Sequence, residues 1–142
     1  MKHTKKTFTE QEKLGATEAI ASRLQEHPEI LFAYIHGSFL GNGRFNDIDL
    51  ALYLKTLPDS LLEYELNMEV ILGYAVGRVP VDVRVMNGAP LSFQYNVLKE
   101  GIPIVVNEEN ERAEFQERTV KRYFDFAPFR KMYMNEVLRF AV

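Results

Sequence analysis

Two seven-residue runs, "ILFAYIH" at 30–36 and "IDLALYL" at 48–54, flank a loop rich in Gly and Asn, "GSFLGNGRFND". Short runs dominated by β-branched, aromatic and other apolar residues, bounded by turn formers, predict buried strands rather than helices. The connection between them suits an antiparallel pair. A third segment, "PVDVRVM" at 80–86, alternates apolar and polar residues and predicts a strand with one polar face. A fourth short strand, "IPIVV" at 102–106, is expected at an edge of the sheet.

Helical signals fall between these strands. Thr9-x-x-Glu12 has the spacing of a capping box. The helix it opens offers Leu14, Ala19, Ile20 and Leu24 to a core, and His27-Pro28 ends it because a residue before proline avoids helical backbone angles. Thr56-x-x-Asp59, with Pro58 in the first turn, predicts a second helix from there to about Val76, stopped by Gly77. Its core face is Tyr64, Met68, Ile71, Leu72 and Ala75. Asn87-Gly88 marks a turn, residues 90–99 a short helix closed by Gly101, and the chain from about Asn110 onward a helical tail interrupted near Pro128. The expected fold class is α+β, a single domain over 1–142 with one mixed sheet of about four short strands covered by helices. Hydrophobic residues make up 46% of the chain, enough to fill its core.

Composition narrows the chemistry. With no Cys, the chain has no disulfides, thiolate metal sites or thiol nucleophiles. A formal charge of −3 disfavours non-specific attraction to nucleic acid, and the three Lys among the first six residues make only a short basic tip. The first residues lack an apolar signal core and no run approaches the length of a membrane span, so a cytoplasmic location without a membrane partner is expected.

Asp47 and Asp49 stand at the mouth of the second strand. Side chains two apart on a strand point the same way, so the two carboxylates lie side by side. Leaving both ionised in a half-buried place is costly unless a cation sits between them. Carboxylate oxygens select hard cations, with Mg²⁺ usual where phosphates complete the shell. If the strand carrying Asp82 lies beside 48–54, a third carboxylate joins the site, and three acids so placed match two-metal phosphoryl or nucleotidyl transfer. Gly37-Ser38 supplies the complementary part. Glycine lets backbone N–H groups approach an anion closely, the Ser hydroxyl adds a contact, and a helical turn beginning there points its N-terminus at phosphates. Taken singly, Asp-x-Asp before a strand is usually a turn, Gly-Ser signals little and Asp82 is an ordinary solvent-facing residue. Their combination, in this order and after strand-like runs, is far more specific.

Gly-Ser, a loop, Asp-x-Asp and a later strand with one Asp resemble the nucleotidyltransferase fold of the DNA polymerase beta superfamily, most closely its minimal (MNT-type) members. "VDVRVMNGAPLSFQYNVLKEGIPIV" is similar to their third-acid strand with the short helix and Gly-led strand after it, and "RTVKRYFDFAPF" to the long C-terminal helix of MNT antitoxins paired with HEPN-domain toxins. The likeness runs over about 31–129. It implies that Asp47 and Asp49 bind metal, that Asp82 both binds metal and activates the acceptor hydroxyl, and that Gly37 and Ser38 contact nucleotide phosphates. It further implies Mg²⁺, two ions, as cofactor, ATP as substrate and a HEPN-type toxin as partner. On this basis the chain is expected to transfer AMP to a tyrosine hydroxyl of the toxin and so neutralise it. The family's Arg-rich sequence after Gly-Ser is here "FLGNGR", in which Arg44 either supplies the missing charge to the nucleotide or is a solvated loop residue.

Arg84, on the same face as Asp82, either holds phosphate or pairs with an acid, and the salt bridge is the favoured role. His36 is expected to be packed or hydrogen-bonded rather than a base. The tail interleaves Phe115, Tyr123, Phe124, Phe126, Phe129, Tyr133 and Phe140 with Arg118, Lys121, Arg122, Arg130 and Lys131, the composition of a protein interface, and residues 110–142 are therefore expected to form a partner surface. Two other readings stand beside the catalytic antitoxin: an antitoxin that inhibits by contact alone, and a transferase for a small molecule. Homo- and hetero-oligomers are both compatible with the sequence.

Overall fold

The computed structural model describes residues 7–77 and 79–140, the side chains of 138–140 excepted; the basic tip at 1–6 and the aromatic side chain of Phe140 lie outside the described residues. Helix α1 spans Glu10–Leu24, strand β1 Ile30–His36, a single 3-10 turn Ser38–Leu40, β2 Ile48–Leu54, α2 Leu61–Ala75, β3 Val81–Val85, α3 Leu91–Glu100, β4 Ile102–Val106 and α4 Glu109–Phe140.

The expected capping box forms at α1: the Thr9 hydroxyl accepts from the Glu12 N–H, and the Thr9 N–H donates to the Glu12 carboxylate. Its buried face is Ala16, Ile20 and Leu24, whereas Leu14 is exposed. Leu14 therefore does not belong to the core stripe, since Ala16, Ile20 and Leu24 follow the i, i+4 row and Leu14 lies off it. Helix α2 begins at Leu61, not near Thr56. Leu57 precedes Pro58 and is steered away from helical angles, and the Ser60 side chain caps the helix by accepting from the Glu63 N–H at 3.2 Å. Helix α4 runs through Pro128 without interruption, contrary to the expectation of a break there. Proline at that position lacks the N–H for an i→i−4 bond, a penalty of about 3 kcal/mol, but flanking helix formers carry the helix past it.

The strands form one sheet in the order β3-β2-β1-β4. β1 pairs antiparallel with β2 and β4, and β2 pairs parallel with β3. A parallel pair needs a crossover connection, and α2 provides it. The sheet is thus mixed and four-stranded, with β4 at an edge as expected.

Alternation along each strand divides the side chains between two layers. Ala33, Ile35, Leu50, Leu52, Val83 and Val85 pack with Ala16, Ile20 and Leu24 of α1 and Met68 and Leu72 of α2. On the opposite face Phe32, Tyr34, Ala51 and Met86 pack with Val97 of α3 and Phe115 of α4. Arg112 fastens the start of α4 to this face, its guanidinium held by Glu109 and donating to the Tyr34 hydroxyl at 3.1 Å. Further along, Tyr123 stacks on Tyr95 of α3 with ring centroids 3.7 Å apart. Beyond that contact Phe126, Phe129, Met132, Tyr133 and Val137 are exposed. Among the described residues, no helix is long and apolar enough to cross a membrane.

Candidate active site

Sheet register builds the site. Asp49 on the central strand β2 lies opposite His36 of β1 and opposite Asp82 of β3, so three adjacent strands place these residues in one row on the α3/α4 face. Asp47, two residues earlier, lies in the bend that leads into β2. Asp47, Asp49 and Asp82 each present a carboxylate oxygen, and these oxygens all lie within 4.8 Å of one another. Asp47 and Asp49 are half-buried and Asp82 is exposed. Burial raises the Asp49 carboxyl from its ordinary 3.8 to about 6, aided by the charges of Asp47 and Asp82 and by a hydrogen bond with Asp47. Such a concentration of uncompensated negative charge suits a hard divalent cation, and the all-oxygen donor set suits Mg²⁺ in particular.

Gly37 is the geometric complement. Its backbone adopts φ 82° and ψ −162°, a region open in practice only to glycine. A Cβ there would overlap the Asp49 carboxylate. The turn that follows begins with Ser38, which is exposed, and is anchored by Phe39, buried against Phe45 with ring centroids 4.9 Å apart. Phe8 packs edge-on against Phe45 at 5.1 Å, and the Lys13 ammonium donates to the Gly41 carbonyl. These anchors hold the Gly37-Ser38 turn beside the acids. Phe39 and Phe45 were legible as apolar loop residues, but only the fold shows that they lock this turn.

The remaining sequence candidates divide. Arg44 is exposed and makes no hydrogen bond or ion pair among the described residues, so it is not brought to the acids by any contact. Among the described residues Arg84 does not form the favoured salt bridge: its guanidinium lies 4.7 Å from the ring centre of Phe93. The exposed face of β3 turns Arg84 toward Phe93 of α3. His36 is packed, as expected, edge-on to Phe93 at 5.5 Å, but its buried Nε2 has no hydrogen-bond partner among the described residues. Burial lowers the His36 pKa, with Asp82 opposing that effect, so the ring is held neutral near pH 7.

One carboxylate was missed by sequence reasoning. Glu69 of α2 accepts from the Val83 N–H at 2.9 Å, and burial raises its carboxyl above the ordinary value, with the Val83 bond opposing that effect and the Asp82 charge adding to it. One turn earlier, Glu65 accepts from the Val85 N–H at 2.9 Å. The available signal was two Glu at i, i+4 immediately beside the buried Met68 and Leu72.

A mixed sheet bearing three convergent carboxylates beside a glycine-dependent turn defines the nucleotidyltransferase class of proteins. The family model "Polymerase beta, Nucleotidyltransferase" matches residues 18–110, and the chain belongs to that family. No curated protein matches it in sequence. Among solved structures, it is similar to a chain in the complex of tri-AMPylated Shewanella oneidensis HEPN toxin with MNT antitoxin, at 18% identity and a TM-score of 0.69, covering 89% of this chain and 98% of the other. It is also similar to a chain of a toxin–antitoxin structure with AMP-PNP, at 20% identity and TM-score 0.72, covering 86% and 98%. A chain of the MntA–HepT toxin–antitoxin structure matches at 18% identity and TM-score 0.68, covering 89% and 98%. These likenesses establish the fold.

Proposed function

We propose that this protein is a nucleotidyltransferase antitoxin that moves AMP from Mg-ATP to a tyrosine hydroxyl of a partner HEPN toxin. The observation that carries this reading is the convergence of Asp47, Asp49 and Asp82 beside Gly37-Ser38. Support for the acceptor comes from the similar folds, one of which belongs to a complex containing a tri-AMPylated HEPN toxin and another to a toxin–antitoxin structure with AMP-PNP.

Asp47, Asp49 and Asp82 would hold two Mg²⁺ ions. When bound, Mg²⁺ neutralises the triphosphate and polarises the α-phosphate. Gly37 and Ser38 grip the phosphates through backbone N–H and hydroxyl contacts, the absence of a side chain at Gly37 allowing the close approach. Asp82, the most open of the three acids, accepts the proton of the attacking hydroxyl. The hydroxyl oxygen bonds to the α-phosphorus as the bond from that phosphorus to the bridging oxygen breaks, and pyrophosphate leaves. The exposed outer half of α4, within 110–142, serves as the docking surface for the toxin, and the reaction takes place in the cytoplasm, where ATP is available.

The test is transfer of label from α-labelled ATP to a co-purified HEPN toxin, wild type against Asp82→Asn. Label on a toxin tyrosine that depends on Asp82 is the expected result. Neutralisation of the toxin by Asp82→Asn without label would replace catalysis with inhibition by contact. Toxin-independent labelling of a small hydroxyl compound would point to a small-molecule transferase.

A further inference from the structure

A cavity of about 280 Å³ opens where β2, the turn after β3, α3 and α4 meet. Tyr53 lines it, four residues on from Asp49 and on the same face of β2, about 13 Å along the strand. The Asn87 side chain closes that end of the sheet, accepting from the Leu54 N–H and donating to the Leu54 carbonyl. Helix α4 brings Phe115, Arg118, Thr119 and Arg122 to the cavity, the i, i+3, i+4, i+7 stripe of one helical face. A stripe facing a sheet is ordinarily apolar, as Phe115 is, but the other three positions here are polar. Tyr34 apart, the buried polar residues among those described are Gln94 and Thr119, 6% and 1% exposed, and both line this cavity. Burying such groups costs free energy unless they find partners. The Gln94 amide donates to the Met86 carbonyl at 2.8 Å, which leaves its own carbonyl oxygen free. Neither that oxygen nor the Thr119 hydroxyl makes a hydrogen bond among the described residues, and neither is sealed from solvent as His36 Nε2 is.

We propose that this cavity binds a small phosphate monoester, at a site separate from the three acids. Arg118 and Arg122, one helical turn apart, supply the charge. Acids outnumber bases 20 to 17 in this chain, yet neither arginine has a carboxylate partner among the described residues, and no carboxylate lines the cavity. Arg118 rests on the ring of Phe115, 5.8 Å from its centre, and Arg122 is exposed. Two unpaired guanidinium groups match a phosphate monoester, which carries a charge of about −1.5 to −2 near pH 7 and accepts their forked N–H groups in pairs. The volume is larger than a bare phosphate needs and close to the lower bound of about 300 Å³ for small-molecule sites, so the phosphate brings a compact polar body with it. The Thr119 hydroxyl and the Gln94 carbonyl oxygen take hydroxyl or amino groups of that body. A sugar phosphate and a nucleoside monophosphate share this chemistry.

Calorimetric titration of the full chain in EDTA at low salt tests the site while the three acids hold no metal. The probes are ribose 5-phosphate, AMP, inorganic phosphate and ribose. At least one of the two esters should bind wild type, and more tightly than inorganic phosphate or ribose. Binding of ribose 5-phosphate alone assigns the site to sugar phosphates and of AMP alone to nucleotides; either supports it. Arg118→Ala and Arg122→Ala should each weaken the ester by about tenfold or more. Both side chains are exposed, so both variants should melt with wild type. Thr119→Val, which keeps the shape and removes the hydroxyl, should weaken the ester by at least about threefold and inorganic phosphate less. Arg130→Ala, the same change in charge farther along α4, and Asp49→Asn should both stay within about twofold of wild type. A wild type that binds neither ester would overturn the site, and toxin binding lost in the Arg118 and Arg122 variants of such a chain would give both arginines to the protein interface instead. Equal losses in Arg122→Ala and Arg130→Ala would reduce the effect to diffuse charge, and loss in Asp49→Asn would move the ester to the acids; each overturns the proposal and leaves AMP transfer to the toxin untouched.

Discussion

Replacing Asp49 by Asn removes a charge from a crowded set while keeping the side-chain volume. In the metal-free protein the Asp49 carboxyl sits at about 6 against an ordinary 3.8. A fully buried carboxyl so displaced would carry a penalty of about 3 kcal/mol when ionised. Asp49 is only half-buried, and solvent screening reduces the figure to about 1 kcal/mol. As pH falls, the folded chain takes up this proton before the unfolded chain does. Between 3.8 and about 6 the folded state therefore holds more protons, and wild-type stability declines as pH rises through that window. The penalty is complete above it and absent below. Asp49→Asn has no such group, and its amide donates to Asp47. In EDTA at pH 8 the variant should therefore be more stable by about 1 kcal/mol, or about 3–4 °C in Tm. At pH 4 the difference should shrink toward zero. Saturating Mg²⁺ should reverse the order, because a site filled at a hundred times its Kd stabilises wild type by about 2.7 kcal/mol and the variant far less. Urea unfolding at pH 4, 6 and 8, with EDTA or Mg²⁺, measures all of this. An Asp49→Asn variant less stable than wild type in EDTA at pH 8, or an order unchanged by Mg²⁺, would refute the electrostatic account.

Gly37→Ala should be destabilised by about 1–3 kcal/mol from its backbone angles alone, and the new Cβ must push the Asp49 carboxylate aside; Mn²⁺ affinity and AMP transfer should both collapse, and wild-type values for both would show that the turn does not abut the acids. In the tail, Phe129 and Tyr133 are 66% and 68% exposed, so Phe129→Ala, Arg130→Ala and Tyr133→Ala should change folding stability by no more than about 0.5 kcal/mol. One or two of them should weaken the toxin complex by about 2 kcal/mol or more in a calorimetric titration, and a chain truncated from Phe129 that binds at full strength would exclude this surface.

The strands were legible because their signal is local: uninterrupted apolar runs for β1 and β2, strict alternation for β3. The i, i+2 spacing drew attention to Asp47 and Asp49 together, although Asp47 lies in the bend before β2, and parallel pairing with β3 brought Asp82 opposite Asp49. Legibility ended where contacts cross between elements. The start of α2 turned on a competition between Thr56 and Ser60 as cap, decided by the stiffness of Leu57-Pro58. Pro128 is a helix breaker in isolation, yet the long helix outweighs it. Phe93, which takes Arg84 in place of an acid, is set by where α3 lies over the sheet, and Glu69 reaches the Val83 N–H only because α2 folds back along an edge. No spacing within either segment encodes those meetings.

The row His36, Asp49, Asp82 has a consequence for how this chain tolerates gain and loss of residues. Asp49 is located by its pairing with His36, not by the length of the loop before it. Residues inserted at the exposed tip, 41–43, bulge outward and leave every acid where it was. A single residue deleted within β3 upstream of Asp82 has the opposite effect. It shifts the strand by one, turns Asp82 to the α1/α2 face and drives Val83 onto the open side. The exposed tip at 41–43, between the buried Phe39 and Phe45, is thus free to lengthen or shorten over time, while the five residues of β3 admit no change in number.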